Sequence, residues 1–252
     1  MVEEVKKMKG VILAGGTGSR LMPLTKVTNK HLLPIYNKPM IYYPIEILKS
    51  AGIKNILVVT GVDHAGDVFS LLGSGKDFGV KFTYKVQDEA GGIPQAIGLA
   101  EEFVGDDKFV SINGDNIIFE SLKPYVDEFK KGNELSRILL FEAPKEVAKE
   151  CGVAVLDKDN VMKVIEKPKD PPTNWVVVGI YMYTPDVFKV IKTLKPSARG
   201  ELEVADLHNH YIKLNSLKAS KLKKEWLDAG TIDELLRANK IVREHKGEVS
   251  AK

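Results

Sequence analysis

Short apolar runs that end at glycine or polar residues recur through the first half of the chain. The first run, GVILA at 10–14, leads directly into a glycine-rich turn, which is typical of a buried strand. Four similar runs follow, with helically spaced segments between them. The predicted strands are 10–14, 56–61, 82–87, 109–113 and 137–141, and the predicted helices are 39–50, 92–103 and 122–131. This alternation predicts a mostly parallel sheet with helices on both faces, whose ligand site lies beyond the carboxyl ends of the strands.

The pattern changes after Cys151, where strand-like runs follow one another closely. Such spacing predicts antiparallel or mixed pairing and the start of a small second lobe. Helical spacing then returns towards the end of the chain. The predicted strands are 152–156, 161–166, 175–183 and 217–222, and the predicted helices are 185–194, 203–214 and 232–245.

Composition places the chain among ordinary globular proteins. A length of 252 residues with 44% hydrophobic side chains allows one principal domain. A net charge of only +3 gives no case for a nucleic acid polymer but leaves small anions open as ligands. The apolar runs fall far short of the ~20 residues that a membrane span needs. The single cysteine, Cys151, excludes an internal disulfide, which agrees with a reducing compartment. From these two observations we expect a cytoplasmic protein without membrane contact.

Glycines at 15, 16 and 18 follow the first strand immediately. Because glycine adopts positive φ angles, this segment can bring backbone amides against phosphate oxygens, or it can be a tight turn with no ligand. Two nearby cations favour the phosphate interpretation. Arg20 offers a forked donor, and Lys30 adds a point charge in the same excursion of the chain.

Two familiar phosphate-binding loops do not fit this segment. The Walker pattern fails because no Gly-Lys-Ser/Thr follows at the required spacing. The dinucleotide pattern fails because Leu21 stands where a third glycine is needed, and the two prolines of segment 22–34 delay the next helix. The loop is therefore of a different kind.

Several further motifs lie along the chain. They are LAGGTGSRLMPLT at 13–25, NKHLLPIYNKPMIYYPIEIL at 29–48, Gln87, GIPQA at 92–96, NGDN at 113–116, EKP at 166–168, KPSARGELE at 195–203 and WLDAGT at 226–231. Together they resemble the sugar nucleotidyltransferases over nearly the whole chain, and within them the glucose-1-phosphate thymidylyltransferase branch. The resemblance implies an α/β fold with a three-layer, Rossmann-like, mostly parallel but mixed sheet and a small sugar-binding lobe.

The resemblance also implies the division of labour along the chain. One domain, 1–252, would contain a nucleotide-binding half at 8–143, a sugar-binding half at 144–230 and a C-terminal helix at 231–252. A sugar phosphate oxygen would attack the α-phosphorus of a nucleoside triphosphate in line, and pyrophosphate would leave. Positioning and charge neutralisation do most of the work in such transfers, so no Ser-His-Asp or Cys-His set is needed.

The nucleotide and metal residues follow from the same motifs. The implied nucleotide-binding residues are Leu13, Ala14, Gly15, Gly16, Thr17, Gly18, Ser19, Arg20, Lys30, Gln87, Gly92 and Asp115. Asp115 ends a strand and, with Asp228, is implied to hold Mg²⁺, which takes a few carboxylates together with phosphate oxygens and water. On its own, either aspartate could equally be a turn residue that caps backbone amides. The implied catalytic set is Arg20, Lys30, Asp115, Lys167 and Asp228.

The sugar phosphate is implied to bind near the adjacent residues Glu166 and Lys167. Adjacent residues on a strand point to opposite faces, so the pattern alone would let only one of them point straight into a site. A hexose needs hydroxyl partners and its phosphate needs a cation, which these two residues supply. The implied sugar-phosphate set is Asn116, Gly152, Glu166, Lys167, Val178 and Arg199, although the segment around Arg199 could simply cap the following helix.

The implied substrates are dTTP, or UTP, and glucose 1-phosphate. The Gln87 amide can pair with both a donor and an acceptor on a pyrimidine edge. One thymine methyl carries only ~1–3 kcal/mol, so the two nucleotides stay as alternatives. Three features depart from the pattern of the bacterial thymidylyltransferases, namely His31, Cys151 and the short segment after the last helix. The third feature predicts that feedback inhibition is absent. A homo-oligomer, or a regulatory subunit without activity, are further alternatives.

Overall fold

The computed structural model describes residues 8–245, and nine of the strands in that range form one sheet. The central strands of this sheet are mostly continuous apolar runs, as burial on both faces requires, whereas the strands at its edges are partly exposed. The strands of the sheet are β1 (Lys9–Ala14), β4 (Asn55–Gly61), β5 (Lys81–Gln87), β6 (Phe109–Asn113), β8 (Ser136–Glu142), β9 (Gly152–Asp157), β10 (Asn160–Glu166), β11 (Trp175–Tyr183) and β12 (Leu217–Lys221). Short pairs outside it are β2 (Pro34–Ile35) with β3 (Lys38–Pro39), and β7 (Asn116–Ile118) with β13 (Trp226–Asp228).

The sheet is parallel in its first half and mixed in its second. Strands β6, β1, β4 and β5 lie side by side and run parallel. Strand β11 runs antiparallel to both β6 and β8, and β12 lies parallel to β8 at the far edge. The hairpin of β9 and β10 attaches to the start of β11 through the pair Val176 and Val153, so the second half of the chain continues the same sheet.

Helices cover both faces of the sheet. They are α1 (Tyr42–Ser50), α2 (Ala65–Leu72), α3 (Ile93–Gly98), α4 (Glu101–Val104), α5 (Lys123–Lys131), α6 (Lys145–Ala148), α7 (Val187–Ile191), α8 (Val204–Lys213) and α9 (Ile232–Glu244). Apolar residues of α1, α2 and α5 share one core with one face of the sheet, and those of α3, α7 and α8 share a second core with the other. The expected α/β fold with a three-layer, mixed sheet is confirmed.

The elements match the sequence expectations with a few differences. The predicted helix at 92–103 is two short helices, α3 and α4, separated by Leu99 and Ala100. Helix α2 and the two short strand pairs were not predicted. The predicted closing helix is α9, whereas 246–252 lie outside the described residues, as do 1–7. Within residues 8–245 no helix combines the length and apolar character of a membrane span.

The carboxyl ends of β1, β4 and β6 meet at one edge of the sheet. Parallel pairing in register places Ala14 beside Thr60, and Leu13 beside Asn113. The segments that leave these strands therefore come together over this edge, and β11 brings the second half of the chain beside them. This edge is where an open α/β sheet binds its ligand.

Candidate active site

A cavity lies over the carboxyl ends of the strands and extends from the glycine loop to the β9–β10 hairpin and α8. Leu13, Gly15, Gly16, Arg20 and Lys30 form its first end, which we call the nucleotide end. Gly152, Glu166, Lys167, Arg199 and His208 form its other end, which we call the sugar end. Asp115 and Asp228 lie on its wall between the two. Residues that are distant in sequence are thus brought into one site.

The glycine loop follows β1 without a break. Gly16 and Gly18 have φ angles of 87° and 62°, which residues with a side chain rarely adopt. A Cβ atom on Gly15 would lie 2.5 Å from Oε1 of Gln87, so a larger residue there would displace that side chain. The Thr25 hydroxyl donates to the Gly18 carbonyl at 2.9 Å and fixes the end of the loop. Ala14, Thr17, Gly18 and Ser19 do not line the cavity, so side-chain contact with a ligand is left to their neighbours.

Lys30 and Asp115 form an ion pair at the floor of the nucleotide end. Their Nζ and Oδ2 atoms are 2.5 Å apart, and both side chains are largely buried. Burial by itself raises the pKa of Asp115, but the charge and hydrogen bond of Lys30, together with His31 and the Asn116 amide, outweigh it and hold that pKa well below its usual value. The carboxylate is therefore ionised under any physiological condition.

Asp228 lies beside Asp115 but has the opposite electrostatic character. Strand β13 pairs with β7, which sets Asp228 opposite Asn116, and the amide of Ala229 donates to the Asp115 carbonyl at 3.1 Å. Burial, followed by the charge of Asp115, raises the pKa of Asp228 to about 7. Its Oδ1 atom is buried and has no hydrogen-bond partner among the described residues. A cation between these carboxylates would remove both penalties.

The two aspartates fit Mg²⁺ in a particular way. No cluster of three or more His, Cys, Asp or Glu side chains with metal-binding geometry occurs within residues 8–245. A pair of carboxylates alone leaves most of an octahedral shell to phosphate oxygens and water, which is how Mg²⁺ is commonly held in nucleotide sites. Asp115 and Asp228 therefore suit an ion that arrives with a phosphate ligand.

Asn116 is a framework residue behind this pair. It is fully buried, its Nδ2 donates to Asp115 Oδ1 at 3.1 Å, and its Oδ1 accepts from the Gly179 amide at 3.0 Å and the Trp226 indole at 2.7 Å. These bonds tie β11 and β13 to the aspartate. The side chain is occupied by protein and does not line the cavity, in contrast to the expected contact with the sugar phosphate.

Glu166 and Lys167 both line the cavity, although they are adjacent in sequence. Strand β10 ends at Glu166, and Lys167 has a φ of 41°, so it leaves the extended conformation that would send its side chain to the opposite face. Its amide donates to the Cys151 carbonyl at 3.0 Å, which fixes this turn. A left-handed lysine is strained, and strain of this kind is often found at functional sites.

Within residues 8–245, the carboxyl group of Glu166 lacks a hydrogen-bond partner on one of its two oxygen atoms. Burial, followed by the charge of Glu203, raises the pKa of Glu166, and its Oε2 atom is buried without a partner in the described part of the chain. Arg199 lies 3.8 Å away but makes its close contact, at 2.6 Å, with Glu203. Arg199 thus lies at the mouth of the sugar end, with its guanidinium already paired.

The alternation of β11 decides which of its residues meet a ligand. Val177, Gly179 and Tyr181 line the cavity, whereas Val178 is fully buried in the core on the opposite face. The sequence analysis expected Val178 at the sugar pocket, whereas its two neighbours in the strand, Val177 and Gly179, line the cavity. Only the backbone of Val178 lies between the cavity-lining residues of β11, because its side chain points into the core.

Gln87 and Gln95 fix one another's amide orientation. The Gly91 amide donates to Gln95 Oε1 at 2.9 Å, so Gln95 presents its oxygen to this region. Gln87 must then donate its Nε2 to the same oxygen, at 2.7 Å. Its remaining oxygen, Oε1, faces the glycine loop next to Gly15. The side chain therefore offers the acceptor Oε1 together with the second N–H of Nε2, since only one of the two hydrogens is used by Gln95. Gly92 lines the cavity at the start of α3.

Several further residues line the cavity that the sequence did not assign to the site, although His31 and Trp226 lie within its motifs. His31, Glu150, Cys151, Tyr181, Trp226 and His208 all line the cavity. Burial raises the pKa of the Cys151 thiol to about 12, with the charge of Asp228 adding to the effect, so the thiol is protonated at neutral pH. Burial, followed by the charge of Lys30, lowers the pKa of His31 to about 3 and keeps its ring neutral. These side chains reach the cavity through tertiary packing, which no short motif records.

Comparison with known proteins gives the class of the chain. Residues 9–245 match the family model described as nucleotidyl transferase. The chain belongs to this family, and it is an enzyme of that class.

Its relatives narrow the class further. It is 42% identical to the low-salt glycan biosynthesis nucleotidyltransferase Agl11 of Haloferax volcanii, over 95% of this chain and 67% of that protein. It is 38% identical to glucose-1-phosphate thymidylyltransferase of Neisseria meningitidis, over 94% and 83% of the two chains. A Bacillus anthracis structure with sucrose, provisionally named a glucose-1-phosphate thymidylyltransferase, superposes with a TM-score of 0.90 at 51% identity, covering 94% and 96%. A UDP-glucose pyrophosphorylase complexed with UDP-glucose superposes with a TM-score of 0.82 at 25% identity, covering 95% and 99%.

Proposed function

We propose that the protein transfers a thymidylyl group from dTTP to glucose 1-phosphate and releases pyrophosphate. One observation carries this proposal. A single cavity joins a glycine loop with the cations Arg20 and Lys30 at one end to the Glu166 and Lys167 pair at the other, with two carboxylates between them. A triphosphate and a phosphorylated sugar both find suitable partners there, with their phosphates meeting near Asp115 and Asp228.

The chemistry in this site is a direct displacement. The sugar phosphate oxygen attacks the α-phosphorus of the triphosphate, a new phosphoanhydride bond forms, and the bond to the pyrophosphate oxygen breaks. Lys167 holds the sugar phosphate, while Arg20 and Lys30 neutralise charge that develops on the triphosphate. The protonated thiol of Cys151 argues against a covalent intermediate, because only a thiolate would be a competent nucleophile. Reaction in line needs positioned substrates and little more.

Mg²⁺ is the divalent ion that the proposed reaction needs, and Asp115 and Asp228 would hold it. When bound, it would neutralise phosphate charge and help to orient the triphosphate. Asn116 keeps the Asp115 carboxylate in place through its bond to Oδ1 at 3.1 Å. Lys30 competes for the same carboxylate on its Oδ2 side.

The nucleobase follows from the orientation of Gln87. Its free Oε1 is an acceptor, so the matching base edge carries a ring N–H donor, as thymine and uracil do at N3. Cytosine, with an acceptor at N3, would instead have to use the second N–H of Gln87 or its own 4-amino group, and we rank it below the other two bases. Between the other two bases, dTTP is supported by the names of the relatives at 37–39% identity. The second candidate is UTP, because a UDP-glucose pyrophosphorylase shares the fold at 25% identity.

The direct test measures pyrophosphate release across a grid of nucleoside triphosphates and sugar 1-phosphates with Mg²⁺ present. We expect the highest kcat/KM for dTTP with glucose 1-phosphate, a weaker reaction with UTP, and little with dCTP. A higher kcat/KM for UTP would replace the thymidylyl proposal by a uridylyl one. Failure of every pair would leave a non-catalytic nucleotide-binding subunit as the better description.

Two properties of the working enzyme are part of the same proposal. We expect it to act in the cytoplasm, where dTTP and sugar phosphates are available, and to self-associate. Analytical ultracentrifugation at several protein concentrations tests the second point. A single species with the mass of one chain, 27.9 kDa, at every concentration would contradict it.

A further inference from the structure

His208 lies in helix α8 directly behind the sugar end. The residue is fully buried, yet its ring forms part of the cavity wall together with Val204, one turn earlier on the same helix. The ring packs against β11, with its centroid 5.1 Å from that of Tyr181 and 6.3 Å from that of Tyr183. The first of these tyrosines also lines the cavity, whereas the second lies in the core.

Only one of the two ring nitrogens has a partner. Nε2 lies 3.0 Å from the Tyr183 hydroxyl. Nδ1 is buried and has no hydrogen-bond partner among the described residues. Burial lowers the pKa of His208 to about 3, so the ring is neutral and carries one N–H and one lone pair. Whichever tautomer is present, a buried polar atom is left unsatisfied, and such atoms in native proteins usually await water or a ligand.

The direction of Nδ1 follows from the bond on the other side of the ring. The two nitrogens of an imidazole face in nearly opposite directions, and Nε2 is directed at Tyr183 in the core. Nδ1 therefore faces away from the Tyr183 hydroxyl, on a ring that borders the cavity beside Tyr181.

A second orphaned atom lies at the same end. Oε2 of Glu166 is buried and unpartnered, and Glu166 faces the cavity from β10, the strand that packs under α8. The side chain of Asn209 clamps α8 to β10 through bonds of 2.9 Å and 2.8 Å to the Val164 backbone. The helix and the strand are thus held against each other, and each carries one unsatisfied polar atom on a residue that lines the cavity. A ligand with several hydroxyls would satisfy both at once, because each hydroxyl can donate and accept.

We propose that His208 is a specificity-determining residue whose Nδ1 hydrogen bonds a ring hydroxyl of the sugar substrate. This inference rests on the proposed function and deepens it. The sugar is recognised from two sides, by the Glu166 carboxylate from the strand and by the His208 imidazole from the helix. An analogue that lacks the hydroxyl facing His208 leaves Nδ1 unpaired and binds more weakly.

The test uses two isosteric substitutions that keep opposite halves of the imidazole. The amide of asparagine lies as many bonds from Cβ as Nδ1, and that of glutamine as many as Nε2. His208→Gln keeps the inner contact with Tyr183 and loses Nδ1, whereas His208→Asn keeps the group at Nδ1 and loses the inner contact. We expect H208Q to raise the KM for glucose 1-phosphate about tenfold with the KM for dTTP unchanged, and H208N to raise it less than threefold.

The opposite ranking would overturn the proposal. If His208 only holds Tyr183, H208Q is neutral, whereas H208N and Tyr183→Phe lower the melting temperature without changing the KM for the sugar phosphate. If Nδ1 only binds a buried water, H208Q also leaves that KM unchanged for every sugar phosphate. Deoxyglucose 1-phosphates sharpen the result, because one of them should weaken the wild-type reaction about tenfold and leave H208Q unaffected.

A binding measurement separates this proposal from the proposed function. In ¹⁵N-histidine-labelled protein, the Nδ1 resonance that H208Q removes should shift on addition of glucose 1-phosphate and stay in place on addition of dTTP alone. An unmoved resonance in an enzyme that is active in the substrate grid refutes the role of His208 and leaves the activity intact. If the grid shows no activity, the same titration still reports whether a phosphorylated sugar reaches His208, and no shift then refutes both.

Discussion

The two ends of the cavity are built in different ways. At the nucleotide end, the cations and the glycine loop come from one segment, 13–31, and the polar side chains already have partners in the protein. Lys30 pairs with Asp115, and Gln87 pairs with Gln95. At the sugar end, the residues come from β9, from β10 and the turn after it, and from α8 and the segment before it. The Oε2 atom of Glu166 and the Nδ1 atom of His208 have no partner among residues 8–245.

This difference indicates that the nucleotide end is preorganised for the reaction, whereas the sugar end is built to recognise its ligand. Groups that are fixed before the substrate binds cost no reorganisation during the reaction, so the nucleotide end is suited to stabilise the transition state. Groups that are left unsatisfied gain their partner from the ligand, so the sugar end is suited to distinguish one sugar from another. Substitutions at the first end should lower kcat, and substitutions at the second should raise the KM for the sugar phosphate.

The largest effect is expected from Asp115→Asn. Loss of this charge removes one of the two carboxylates proposed for the divalent ion and leaves Lys30 buried without its partner. We expect kcat to fall by about 10³-fold or more, while the far-ultraviolet circular dichroism spectrum stays unchanged. Asp127→Asn is the matched control, because Asp127 is partly exposed, lies outside the cavity and forms a surface ion pair with Lys123. Near-normal turnover in D115N would refute the metal assignment.

A pair of lysine substitutions contrasts the two ends directly. Lys30→Gln should lower kcat by about 10²-fold with little change in either KM, since it removes a charge that acts on the triphosphate. Lys167→Gln should raise the KM for glucose 1-phosphate by about 10- to 100-fold, the worth of one charged hydrogen bond. Steady-state kinetics with each substrate varied in turn measures both. If kcat and the KM for glucose 1-phosphate change by the same factors in both variants, the proposed contrast between the two ends is wrong.

Gly179 tests the framework between the ends. An added Cβ would lie 2.5 Å from Nδ2 of Asn113 and 2.9 Å from Nδ2 of Asn116, so Gly179→Ala should lower the free energy of unfolding by about 1–3 kcal/mol. Gly98→Ala is the control, because its Cβ would lie 3.5 Å from Ile191, an ordinary contact, and alanine favours a helix by about 0.5–1 kcal/mol. Urea denaturation of both variants measures the difference, and equal stabilities would contradict the crowding at Gly179.

The smallest effect is the pH dependence that His208 adds to stability. Its pKa is about 3 in the folded protein against 6.5 for the ordinary group, so between these values the unfolded chain binds a proton that the folded protein does not. Stability therefore falls as the pH drops below about 6.5, by up to about 1.4 kcal/mol per pH unit from this residue. His208→Gln should remove that share of the slope between pH 6 and 4, measured by urea denaturation. An unchanged slope would show that the ring is not buried as a neutral group.

Much of the fold could be predicted because its strands are continuous apolar runs between breakers. Residues 10–14 and 109–113 are clear for this reason, and their parallel pairing follows from the helices between them. Helix α2 was missed because it has only eight residues, contains Gly66 and starts after His64 in a left-handed conformation. Three-residue strands such as β7 and β13 are too short to give a periodic signal.

The site could be predicted only where a motif records it. The glycine loop, Asp115 and Glu166 lie in recognisable segments, and the structure brings them to one cavity. Local geometry decided the rest. The position of Val178 differs by one strand residue from the cavity face, and the φ of 41° at Lys167 turns a side chain that simple alternation would have sent away. His208 reaches the cavity from α8 through packing against Tyr181 and Tyr183, which no local pattern encodes.

The central claim is that two substrates held in one cavity react directly, with no protein nucleophile. The stereochemistry at the α-phosphorus tests it most directly. With a single diastereomer of dTTP that carries sulfur on the α-phosphate, glucose 1-phosphate and Mg²⁺, one in-line displacement predicts a thio-dTDP-glucose with inverted configuration at phosphorus. Retention of configuration would reveal two displacements through a covalent enzyme intermediate and would contradict the account.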